Sequence, residues 1–166
     1  MRRAKFRRVW GLVLLLCGSL HLSARQQAGP VLLEANSQRT LPGIRGTRPV
    51  TNYYFLVVWQ GPSVPTEFLW HPDPHTWVNC SVSRIYKKTK RGSMPFDRGY
   101  TTVPITLRQV HPNDTLELMP VTGSPAPPPA IKQAKSNCIY YRTANKSAWL
   151  SIEVPLIHRL HDIAHP

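Results

Sequence analysis

Five cations fall within eight residues of the segment SRIYKKTKRGSMP (83–95): Arg84, Lys87, Lys88, Lys90 and Arg91, with Tyr86 among them. Clustered ammonium and guanidinium groups meet the sulfates and carboxylates of a linear polyanion, and release of counterions adds affinity that falls as salt rises. The same letters allow a second chemistry. Lys88-Thr89-Lys90-Arg91 ahead of Gly92 resembles a dibasic processing site cut after Arg91, with Lys rather than the preferred Arg four residues before the cut. The plain alternative to both is a charged, solvated hairpin end.

Histidines supply the other reactive groups. His158, His161 and His165 stand at i, i+3 and i+7, which is one face of a helix if the tail is helical, and neutral imidazoles ligate zinc or copper. These three are weak metal candidates, because a terminal segment without cysteine needs further ligands to close a site; no metal or cofactor is expected. In HPDPH, His71, Asp73 and His75 fall on one side of an extended segment, but two prolines make a rigid turn the simpler reading. No GxSxG, HExxH, P-loop or dinucleotide-binding glycine pattern occurs. No catalytic residue is nominated, and an enzyme is not the expectation.

The chemistry available to the cysteines depends on compartment. Residues 1–24 have a basic start (Arg2, Arg3, Lys5, Arg7, Arg8) and an apolar run from Val9 to Cys17, followed by a polar segment with small residues. That order is the layout of a secretory signal, with cleavage placed between 19 and 24, and the run is short of the ~20 residues a spanning helix needs. Five of the 21 Lys and Arg and none of the eight acids lie there, so the remainder holds 16 cations against eight acids and stays basic. Cys17 leaves with the signal. Cys80 and Cys138, 58 residues apart, are then expected to form one disulfide, stabilising the fold by roughly 4 kcal/mol in chain-entropy models. Three sequons, at Asn79, Asn113 and Asn145, fit the same compartment as glycosylation sites. A secreted, extracellular glycoprotein with no membrane span in its mature chain is the expectation.

The elements that must position these groups read as strands. Residues 25–50, rich in Gly, Pro and Gln, show no apolar period and read as a flexible arm. A β-rich domain is expected over 51–157. NYYFLVVW is a continuous apolar run suited to a buried strand. In TWVNCSVSRIY, Val78, Cys80 and Val82 alternate with Asn79, Ser81 and Ser83, which turns the cysteine inward and the sequon outward. TTVPITLRQV reads as an edge strand because Pro104 cannot donate to a ladder. HPND reads as a turn leading to TLELMPV as its hairpin partner. A stiff proline-rich loop spans 122–130, NCIYYRT and SAWLSIEVPLI close the domain, and 158–166 form a His-rich tail.

Short strands separated by turns predict a mainly β chain, an antiparallel β-sandwich. VNCSV resembles the first-cysteine strand of immunoglobulin domains. The resemblance covers one strand and a cysteine spacing; no Trp follows Cys80 at the family's distance, and Ser136 stands where a Tyr is expected. An immunoglobulin-like arrangement is therefore one form the sandwich takes.

The functional expectation is an extracellular protein-binding module whose partner is an extracellular or cell-surface protein. Heparan sulfate at the basic patch would assist attachment, and nucleic acid is not expected. The alternatives are a subunit of a larger viral-envelope or receptor-like glycoprotein complex, and a secreted enzyme without recognisable motif.

Overall fold

A computed structural model of the chain describes residues 29–44, 46–88, 100–144 and 146–164, with the backbone alone described at Lys87, Lys88, Lys146 and Ser147. Among these residues ten strands follow in order: β1 (Val31–Leu41), β2 (Val50–Val58), β3 (Pro65–Asp73), β4 (Thr76–Lys88), β5 (Tyr100–Pro104), β6 (Thr115–Pro125), β7 (Cys138–Thr143), β8 (Lys146–Glu153), β9 (His158–Arg159) and β10 (Ile163–Ala164). The only other regular element among the described residues is a 3-10 turn, Leu107–Gln109.

The chain is mainly β, as expected, but the layering differs from a two-sheet antiparallel sandwich. All ten strands belong to one mixed sheet ordered β10-β1-β2-β6-β4-β3-β7-β8, with β5 on β4 and β9 on β1. The β9 and β10 pairings to β1 are parallel.

This sheet rolls onto itself. In a flat sheet β2 and β3, separated by β6 and β4, would stand ~14 Å apart, yet Phe55 of β2 and Trp70 of β3 have ring centroids 4.7 Å apart. Trp59, just past β2, meets Phe68 edge-on at 6.0 Å and Tyr141 of β7 at 5.6 Å. One large cluster fills the inside of the roll: Phe55, Val57, Trp59, Phe68, Trp70, Leu116, Leu118, Ile139 and Tyr141 with their neighbours. A smaller cluster of Leu69, Trp77, Cys138 and Tyr140 lies on the opposite face. Extra residues in β1 at Leu33, in β3 at Thr66 and in β4 at Tyr86 interrupt the register, and such bulges bend strands and increase twist. The largest irregularity is in β6, where Val121–Ser124 stand against Asn79 alone. Gly123 within it has φ +78°, the left-handed region that favours glycine.

Several local expectations hold. The apolar run NYYFLVVW is β2 and continues into the buried Trp59. The TWVNCSVSRIY strand is β4, and the closing segments are β7 and β8. HPND forms a turn in which the Asp114 N–H donates to the His111 carbonyl and the His111 N–H to the Asp114 carboxylate.

Others are corrected. Residues 31–41, read as part of a flexible arm, are β1, paired with β2 along most of its length and burying Ala35 and Gln38. Backbone pairing tolerates the polar side chains that hid its period. β6 is a central strand between β2 and β4, not a hairpin partner of β5. Among the described residues β5 does lie at an edge, paired with β4 alone, and ends at Pro104; Ile105 and Leu107 pack on the core from the turn that follows. The first part of the proline-rich loop continues β6 to Pro125. The tail is extended, through β9 and β10, instead of helical.

Candidate functional site

The cationic stretch lies at the end of β4, where the sheet narrows to two strands. β6 follows β4 as far as the Arg84–Leu116 pair; beyond it, among the described residues, β4 pairs with β5 alone, Lys87 with Thr101 and Lys88 with Tyr100. The result is a two-stranded ribbon. Tyr86 is the extra residue of its bulge and is 79% exposed. Lys90 and Arg91, with the processing position after Arg91, lie outside the described residues.

Arg84 separates from the other cations. Its Nε and Nη2 donate to Asp114 Oδ2 at 3.1 and 2.8 Å, and Nη2 also donates to the Gln109 carbonyl and lies 3.3 Å from His111 Nδ1. A guanidinium that fills its fork in this way fastens the base of the ribbon to the segment leading into β6. Its Nε and Nη2 are committed within the fold, which sets Arg84 apart from Lys87, Lys88, Lys90 and Arg91.

The two cysteines do not come together: Cys80 and Cys138 are both free thiols, and the expected disulfide is absent. Cys80 packs on the inner cluster with Val78 and Val82, whereas Cys138 belongs to the cluster on the opposite face. β3 lies between their strands. A disulfide needs Cα atoms within ~7 Å, and two strand spacings are already ~9.6 Å. The inward phase read for Cys80 is right; Cys138 takes the other phase, because Ile139 and Tyr141 hold the inner positions of β7.

Desolvation pushes the Cys80 thiol up to about 12, against a backbone hydrogen bond from Trp70 that works the other way. Burial also raises Cys138, with the Glu153 carboxylate adding and Lys135 opposing. Both thiols are expected to resist alkylation at pH 8 in the folded chain and to react once denaturant is added. Rapid native-state labelling of Cys80 would contradict this packing. The unfolded thiol ionises near ~8.5 while folded Cys80 keeps its proton to about 12. This contribution to stability is therefore present below the lower value and is lost as pH rises toward the upper one.

The remaining positions scatter. Asn113 is exposed in its turn at φ +71°, a conformation Asn tolerates. Asn79 is half-buried, with Nδ2 donating to Ser124 Oγ at 3.3 Å. Asn145 lies outside the described residues. His158 and His161 are exposed on the extended tail, and His165 is outside the described residues, so the helical face that would have gathered the three does not form. Among the described residues no group of His, Cys, Asp and Glu is arranged to hold a metal ion. In HPDPH, Asp73 accepts from the His75 N–H, and His71 is buried, stacked on Trp77 at 3.8 Å with Nδ1 donating to the Thr76 carbonyl. The rigid turn is what these residues build.

No helix among the described residues is long and apolar enough to cross a membrane. No protein-family model, curated protein or solved structure matches the chain.

Proposed function

We propose that this chain is a secreted glycoprotein acting as an extracellular, non-enzymatic binding module, which attaches to acidic glycans through the β4–β5 ribbon while it engages a cell-surface protein. The observation that carries this reading is the departure of β6 from backbone pairing with β4 after Arg84, which leaves Lys87 and Lys88 paired with β5 in a two-stranded ribbon that Tyr100, opposite Lys88, holds to β6 by donating to Glu117 Oε2 at 2.8 Å. A run of Lys and Arg that begins on a two-stranded ribbon and continues beyond it in the sequence suits a linear polyanion, which their summed field steers. The rolled sheet is read as a sandwich-like body, with the β1–β2–β6 half lying over β3–β7–β8; the opposed faces of Cys80 and Cys138 give no support to an immunoglobulin-type pin.

The test is elution from immobilised heparin. Replacing Lys87, Lys88, Lys90 and Arg91 together by Ala is expected to lower the eluting salt concentration sharply, since each neutralised anion contributes about 0.7–0.9 to the log–log salt slope by analogy with nucleic acids. An unchanged elution position would sink the glycan reading. A second reading, one subunit of a larger envelope or receptor-like complex, is supported by β8, which among the described residues pairs on one side only. On that reading the chain expressed alone fails to show a cooperative thermal transition, whereas a binding module unfolds cooperatively by itself.

A further inference from the structure

Tyr86 is the most exposed of the large apolar side chains among the described residues. Other aromatic side chains pack ring on ring, as Phe55 on Trp70 and Trp77 on Tyr140, whereas Tyr86 makes no such contact among the described residues. Its ring therefore has its burial still to gain. The register puts it there. Ile85 pairs with Thr102 and Lys87 with Thr101, so Tyr86 has no partner across the ribbon, and a bulge re-aims the side chain it carries. The backbone on either side is held. Arg84, two residues before, is fastened to Asp114, and Lys88, two residues after, pairs with Tyr100, whose hydroxyl donates to Glu117. Glu117 is a buried residue of β6, so this second tie reaches the body of the sheet. A ring carried between two fixed points loses less freedom when it meets a ligand.

Cations alone attract any polyanion and do not tell one from another. An aromatic ring does. The C–H groups on one face of a pyranose carry partial positive charge and meet the negative face of an aromatic ring, much as bases stack on aromatic side chains in single-strand binding. We propose that Tyr86 is the residue by which the ribbon selects a sugar polyanion, its ring lying on a pyranose face of a sulfated glycan while the neighbouring cations meet the anionic groups. The inference rests on the glycan reading above and sharpens it from charge to sugar. An anionic lipid surface also takes an exposed Tyr among lysines, but it needs an apolar face to insert. The residues across the ribbon from the bulge, Thr101 and Thr102, are polar and supply none.

The test is the Kd for heparin measured over a range of salt concentrations. Tyr86→Ala should weaken binding about fivefold at every salt concentration, the low end of what stacking on an aromatic side chain contributes. The salt slope should not change, because no cation is removed. Tyr86→Phe keeps the ring and should bind as the parent chain does. Poly(vinyl sulfate) carries sulfate esters on a chain without sugar rings, and should bind the parent and both variants equally. The side chain is exposed, so the unfolding midpoint should stay unchanged. Unchanged heparin affinity in Tyr86→Ala, beside a loss in the Lys87, Lys88, Lys90 and Arg91 variant, overturns the role of Tyr86 and leaves the glycan reading standing. Unchanged affinity in both overturns the glycan reading and the role of Tyr86 with it. Equal losses on heparin and poly(vinyl sulfate) overturn the proposal by showing that Tyr86 shapes the ribbon and meets no sugar. Tyr86→Phe as weak as Tyr86→Ala overturns stacking and assigns the contact to the hydroxyl. Retention on phosphatidylserine vesicles that Tyr86→Ala abolishes, with heparin binding kept, assigns the ring to a lipid surface instead.

Discussion

Trp59→Ala is expected to destabilise the fold by about 3–5 kcal/mol, seen as a lowered denaturant midpoint at unchanged slope. Trp59 is 1% exposed and packs edge-on against Phe68 and Tyr141. These rings come from strands three and four places away across the sheet order, so the indole is one of the contacts that hold the roll closed. Its backbone, which the substitution keeps, ties the same point: the Trp59 N–H donates to the Asp114 carbonyl at 2.9 Å, and its own carbonyl accepts from the Asn113 N–H at 2.6 Å. Truncation therefore leaves a cavity at the point where the end of β2 is tied to the turn before β6. Trp59→Phe keeps an aromatic ring in the same place and should recover much of the loss. If Trp59→Ala cost under ~1 kcal/mol, within the range of ordinary surface changes, the two halves of the sheet would not be held by this cluster.

Arg84→Ala is expected to cost about 2 kcal/mol, the scale of charge-assisted hydrogen bonds, and to do so without a matching change in heparin elution. The side chains of Arg84 and Asp114 are 34% and 19% exposed, so the pair lies between a surface ion pair worth under ~1 kcal/mol and a buried one whose breakage costs ~3–5. Three partners lose a donor together: the Asp114 carboxylate, the Gln109 carbonyl and the His111 ring. Arg84→Lys should retain only part of the stability, because an ammonium cannot reproduce the fork that meets carboxylate and carbonyl at once. The contrast with the four-residue variant is the informative part. Changing Lys87, Lys88, Lys90 and Arg91 should move elution and leave the unfolding midpoint nearly fixed, whereas Arg84→Ala should move the midpoint and leave elution nearly fixed. Arg84→Ala lowering elution as much as the four-residue change would return Arg84 to the binding set.

These two variants also mark how far the sequence could be read. The run of β-branched and aromatic residues at 53–59 and the alternation at 78–83 identify buried strands, because a strand's side chains face alternate sides and only one arrangement buries the apolar set. The polar β1 escaped that test, since its place is secured by hydrogen bonds with β2 that carry little mark of side-chain type. Tyr86 was visible as an aromatic among cations. That it would be the extra residue of a bulge, turned to solvent, was not, because a bulge exists only once two strands are set in register.

The same division holds for the charged and sulfur groups. By itself the sequence determined a mainly β chain with a cationic cluster after an inward-facing Cys80, because composition and period-2 alternation are local properties. Only the tertiary structure decided that Arg84 is committed to Asp114 while Lys87 and Lys88 stand on the ribbon, since a partner thirty residues away leaves no trace in spacing. It also decided that Cys80 and Cys138 lie on opposite faces of one sheet. Which face a residue takes depends on the register and packing of its whole strand, and β7 turns Ile139 and Tyr141 inward and so carries Cys138 away from Cys80.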